Sequence, residues 1–182
     1  MERRDFLKHT AAIASVAATG VTNALVTEPN ASRHFVGAVL VDERYSDSRQ
    51  FAAAYTVRGA ALVSLTEDIG RLWYGRLREL CNQPDARIAG LTLHTDLFVS
   101  QQFARECGKS LIQFGEHDCR GRSTLAHTTA LSIPDNAQWA THAANCMMDM
   151  HGNGNLEQHK TLTCNTPRAA DHPGSLYSWM IA

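Results

Sequence analysis

The chain has 182 residues, in which 17 lysines and arginines nearly cancel 18 aspartates and glutamates. A near-neutral balance, with no basic run interleaved with aromatics, excludes a nucleic-acid backbone as partner. No stretch supplies the roughly 20 strongly apolar residues that a spanning helix needs, so no integral membrane domain is expected.

The first element is Glu2-Arg3-Arg4-Asp5-Phe6-Leu7-Lys8, followed by the mildly apolar Ala11 to Ala18. Charge comes first, then apolarity, then small polar residues. Positions 11–21 are mostly Ala, Thr, Ser and Val without a 3.6-residue stripe, unlike a buried amphipathic helix. The segment resembles a bacterial twin-arginine (Tat) signal peptide, with Arg3, Arg4, Phe6, Leu7 and Lys8 carrying the address. That resemblance implies passage through the Tat translocase, folding in the cytoplasm and work in the periplasm. Thr22-Asn23-Ala24 and Pro29-Asn30-Ala31 are imperfect small-residue cleavage sites, and an uncut, membrane-tethered form is the alternative. Residues 1–31 are assigned to signal and spacer. Residues 32–182 are left as a single domain of about 150 residues, long enough for one core.

Between His34 and Asp118 apolar runs alternate with helical periods. Phe35 to Val41 reads as the first strand, ended by Asp42-Glu43, and Ser46-Asp47-Ser48 as the cap of a helix that Gly59 stops. Ala60 to Leu65 is the second strand and Thr66-Glu67-Asp68 the next cap. The second helix carries Ile69, Leu72, Trp73, Leu77 and Leu80 on one stripe, so Trp73 reads as core rather than pocket. Ile88 to Leu93 is the third strand. Thr95 or Asp96 caps a helix with Val99, Phe103 and Cys107 that ends at Gly108 before a fourth strand, Leu111 to Phe114. Cys119-Arg120-Gly121-Arg122 is a loop, Pro134 starts a helix to about Met150, and Lys160 to Asn165 and Ser175 to Ile181 are final strands. Helices that end on glycine before apolar strands predict parallel βαβ units. The expected fold is α/β: a single three-layer domain with a mostly parallel sheet in βαβαβαβ order and an antiparallel C-terminal edge.

Ligands of open α/β sheets gather at the carboxyl ends of the strands, where this chain places a polar set. His94, His117 and Asp96 are candidate ligands of a divalent metal, with Asp42 or Glu116 as general base. Helix capping is the competing reading, since it accounts for Ser46, Thr66, Asp68, Thr95 and Asp96 without chemistry. A second group, His142, Cys146, Met150 and His151, offers imidazole and soft sulfur to Cu(I), with core filling as the alternative. Cys119 beside His117 is a candidate nucleophile or half of a disulfide, whereas His127, His159 and His172 read as surface histidines. The five cysteines are an odd number. In an oxidising compartment at least one thiol stays free, pairs with another chain or binds something.

No glycine-rich turn follows the first strand and no Walker-type loop occurs, which disfavours nucleotide cofactors. Gly-x-Ser-x-Gly and Cys-x-x-Cys motifs are also missing, which removes the commonest signals of serine hydrolases and thioredoxin-like centres. The leading expectation is an exported accessory or binding protein, such as a small partner of a larger exported redox enzyme. A small metal-dependent hydrolytic enzyme is the alternative, and a copper-binding protein the third reading.

Overall fold

β1 (Val36–Val41) is buried at every position except Gly37, as a strand covered on both faces must be. It pairs in parallel with β2 (Ala61–Ser64) on one side and β3 (Arg87–Thr92) on the other. These strands come from a computed structural model that describes residues 36–66, 68–126, 138–149, 159–163 and 168–182. The signal-peptide residues Arg3, Arg4, Phe6, Leu7 and Lys8 and both cleavage sites lie outside the described residues, as do His127, Pro134, Met150, His151 and Cys164.

The remaining strands correct the mostly parallel expectation. β4 (Leu111–Asp118) does not lie beside β3, because β7 (Ser175–Ile181) is inserted between them, antiparallel to both. β5 (Arg122–Ala126) and β6 (His159–Thr163) continue antiparallel beyond β4, giving the order β2-β1-β3-β7-β4-β5-β6. The sheet is therefore mixed, and its C-terminal strand is central rather than at the edge. The physical reason lies in β7 itself: Leu176, Ser178, Trp179, Met180 and Ile181 are all buried, and a strand apolar on both faces belongs inside a sheet. β4 also runs to Asp118 instead of stopping at Phe114.

Helices cover both faces. α1 (Ser46–Thr56) and α5 (Trp139–Asp149) bury Phe51, Tyr55, Trp139 and Met147 against Val39, Leu91, Leu176 and Met180. On the opposite face, α2 (Ile69–Leu72), a π-helical segment (Trp73–Leu77) and α3 (Arg78–Cys81) form one continuous helix beside α4 (His94–Glu106). Its buried residues Ile69, Trp73, Leu77 and Cys81 recur every fourth position. In an α-helix that spacing drifts about 40° per step, and the wider π turn takes up the drift. Leu72 and Leu80, expected on the stripe, are only partly buried.

The helix starts differ from expectation in two places. Neither Ser46 nor its neighbours cap α1; the Asp171 carboxylate does, accepting from Ser46 N at 2.8 Å and Ser46 Oγ at 2.6 Å. α4 starts at His94 without a side-chain cap, so Thr95 and Asp96 are freed from that role. Asp68 caps α2 as expected, accepting from Gly70 N and Arg71 N. Gly59 (φ 94°) and Gly108 (φ 70°) end α1 and α4 in the left-handed region that glycine tolerates. Among the described residues no helix is long and apolar enough to cross a membrane.

Candidate functional site

The strand order creates a crevice between β1 and β3. The chain leaves β1 through α1 toward β2, and leaves β3 through α4 toward the other side, with the two helices on opposite faces. Strands whose connections part in this way leave a gap at their carboxyl ends. A cleft of about 490 Å³ opens there, lined by Asp42, Arg44, Thr66, Asp68 and Asp96 among others.

Asp42 follows β1 directly and is 1% exposed. Its backbone N–H donates to Ser48 Oγ at 2.9 Å, and that hydroxyl donates to the Leu91 carbonyl at 2.7 Å, tying the ends of β1, α1 and β3 together. The Asp42 carboxylate accepts Arg44 Nε at 2.9 Å and Nη2 at 2.6 Å, a bidentate ion pair, and also the Arg44 backbone N–H at 3.1 Å. Asp42 is thus committed to a cation rather than poised as a base. Asp96, half-buried in the first turn of α4, has its carboxyl pushed above the usual range by burial first and by the Asp42 charge second, with Arg44 opposing. Carboxylates outnumber cations around the cleft, with Asp42, Glu43, Asp68 and Asp96 facing Arg44.

The other candidates separate across the sheet. His94 is exposed and packs its ring edge-on against Tyr177 at 5.2 Å, and Tyr177 donates to Glu116 Oε1 at 3.2 Å. Glu116 and His117 are neighbours in β4, so their side chains point to opposite faces. His117 is fully buried on the α1–α5 face, between Ser123 Oγ at 2.9 Å and Ser178 Oγ at 2.8 Å. His94 and His117 therefore cannot share an ion, and no group of 3 or more His, Cys, Asp or Glu among the described residues could hold one. Cys119 is exposed, and both His117 nitrogens are already bonded to serines.

Behind His117 lies a polar network that the sequence reading missed. Asp47 Oδ1 accepts Trp139 Nε1 at 3.0 Å and Asp47 Oδ2 meets His172 Nδ1 at 2.7 Å. The His172 side chain is 1% exposed, which corrects its assignment to the surface. Arg168 stacks on Trp139, with its guanidinium carbon 4.0 Å from the ring centroid, and donates to Ser123 Oγ at 3.0 Å and to the Asp118 carbonyl. Both ring nitrogens of His117 are thus satisfied by serine hydroxyls, Nδ1 by Ser123 and Nε2 by Ser178. Burial first, then the charges of Arg168 and His172, hold His117 down to about 3, so the ring is neutral. Its complete burial makes it a brace between β4, β5 and β7. No spacing rule links residues 47 and 172, and Asp47 sits where a cap was expected.

No family model, curated protein or solved structure matches this chain.

On α5, two members of the candidate Cu(I) set are in contact. Cys146 Sγ lies 3.4 Å from His142 Nε2 across one helical turn. Burial first and the Asp149 charge second push the Cys146 thiol up. Met150 and His151, the other members of that set, lie outside the described residues.

Proposed function

We propose that the chain is an exported binding or accessory protein whose cleft at the ends of β1, β2 and β3 holds a small ligand bearing an organic cation, such as an amine or guanidinium. The observation that carries the ligand class is Asp96, half-buried beside Asp42 while Arg44 is committed to Asp42. A cationic group at that point favours the ionised carboxylate, and the surplus of acids around the cleft attracts it. Export to the periplasm through the Tat translocase is supported by Arg3, Arg4, Phe6, Leu7 and Lys8. A larger co-exported redox enzyme is the partner class that suits a small domain on this route.

Two experiments test the two halves. Cell fractionation of the full chain is expected to place it in the periplasm and to retain Arg3→Lys/Arg4→Lys in the cytoplasm; cytoplasmic retention of both removes the export half. Thermal-shift measurements with spermidine, choline and arginine are expected to stabilise the wild type with at least one of them, and Asp96→Asn with none. Equal stabilisation of both proteins means that the cleft is not where the ligand binds.

The His142–Cys146 contact favours a second reading, Cu(I) binding on α5 with Met150 and His151 completing the set. Competition with a Cu(I) chelator decides it: Cys146→Ala loses a bound ion, or there is none to lose. The metal-dependent hydrolase has no such support, because His94 and His117 stand on opposite faces of the sheet.

A further inference from the structure

We infer that Cys81 and Cys107 are a disulfide site, an intramolecular clasp between the C-terminal ends of two neighbouring helices. Cys81 is the last residue of α3 and Cys107 caps the end of α4. The two helices pack side by side. Cys81 is buried in the core, Cys107 is half-buried and packs against the same cluster, and the neighbouring Cys107 adds to burial in pushing the Cys81 thiol up. Beyond the cysteines, Lys109 Nζ donates to the Pro84 carbonyl at 2.7 Å and to the Ala86 carbonyl at 3.4 Å, holding the following segments together as well.

The other two described cysteines are placed differently. Cys119 is exposed in the turn after β4, and Cys146 lies against His142. The pair joins segments far apart in sequence through β3, so a bridge restricts the unfolded chain considerably. It also clasps the far ends of the two helical elements that begin at Asp68 and His94 and present Asp68 and Asp96 to the cleft.

The chemistry is thiol–disulfide exchange with a small or protein disulfide as oxidant. The more exposed Cys107 attacks as thiolate, forms a mixed disulfide and expels one sulfur of the oxidant. The Cys81 thiolate then attacks Cys107 Sγ and expels the other. Two electrons and two protons leave the protein and appear as two thiols on the oxidant. Burial pushes the Cys81 thiol up to about 12, so the second step quickens as pH rises. The inference rests on packing alone and stands apart from the cleft's ligand and from export.

The test uses the full chain and oxidised glutathione as the probe, followed by alkylation, digestion without reduction and mass spectrometry. The expected product is a peptide pair joined through residues 81 and 107, with the intact chain lighter by two hydrogen atoms. It forms in the wild type and in Cys119→Ser/Cys146→Ser/Cys164→Ser, which keeps only this pair, and not in Cys81→Ser or Cys107→Ser. Oxidation of the triple variant is expected to raise Tm by on the order of 5–10 °C, reversed by dithiothreitol. Recovery of Cys81 and Cys107 as alkylated thiols or glutathione adducts from a natively folded triple variant overturns the inference, as does a bridge from either residue to another cysteine in the wild type.

Discussion

Replacing Asp47 by Ala probes the buried network most severely, because its two carboxylate oxygens carry separate loads. Asp47 is 2% exposed, and the substitution strands Trp139 Nε1 on α5 and His172 Nδ1 in the segment before β7. Each stranded buried donor costs about 1–3 kcal/mol, the charge-assisted one toward the upper end. The expected loss is therefore about 3–5 kcal/mol, a large share of the roughly 5–15 kcal/mol that holds a domain folded. With a urea m-value of about 2 kcal/mol/M the midpoint falls by roughly 1.5–2.5 M. Equilibrium urea unfolding followed by tryptophan fluorescence and far-UV circular dichroism reads this directly. Asp47→Asn, which keeps an acceptor for Trp139, is expected to lose less. A double-mutant cycle with Trp139→Phe is expected to show coupling of about 1 kcal/mol or more. A midpoint for Asp47→Ala within experimental error of the wild type refutes the network.

Trp179 lies so close over β3 that a Cβ on Gly90 would stand 2.6 Å from its ring, so Gly90→Ala is expected to cost about 1–3 kcal/mol through overpacking, seen as a lower Tm by calorimetry. His117 is held down to about 3 in the folded protein, against 6.5 ordinarily. The unfolded chain thus takes up a proton that the folded chain refuses: stability is complete above about pH 6.5 and falls toward pH 3, by up to roughly 1.4 kcal/mol per unit. His117→Gln removes this slope, so its stability gap from the wild type in urea narrows on acidification; an unchanged gap contradicts a neutral, buried ring. Arg44 opposes the rise of Asp96 and Asp42 promotes it. Carboxyl NMR titration is therefore expected to find Asp96 higher in Arg44→Gln and lower in Asp42→Asn.

The first half of the fold was legible because its rules are local. Each apolar run from Val36 to Thr92 became a strand at nearly the expected residues, Gly59 and Gly108 ended their helices, and Asp68 capped α2. The second half depends on pairing between distant segments. Nothing local says that Ser175–Ile181 inserts between β3 and β4, although its apolar character on both faces argued against an edge. The caps misled for a related reason: Asp171, far along the chain, caps α1, which frees Asp47 and Ser48 for buried bonds. Of the strand-end candidates, Asp42 and Asp96 converge because β1 and β3 are adjacent parallel strands. His94 and His117 diverge because strand alternation sends Glu116 and His117 to opposite faces.

Isothermal titration calorimetry of the full chain with the best ligand of the amine panel, across a pH series in two buffers, measures whether the cleft beside Asp96 binds an organic cation. A cation that stabilises the Asp96 carboxylate displaces its proton. Affinity is expected to rise with pH through the Asp96 titration, with proton release on binding and a loss of about tenfold or more in Asp96→Asn, equivalent to about 1.4 kcal/mol. Binding of equal strength by wild type and Asp96→Asn, without proton release, contradicts cation binding in this cleft.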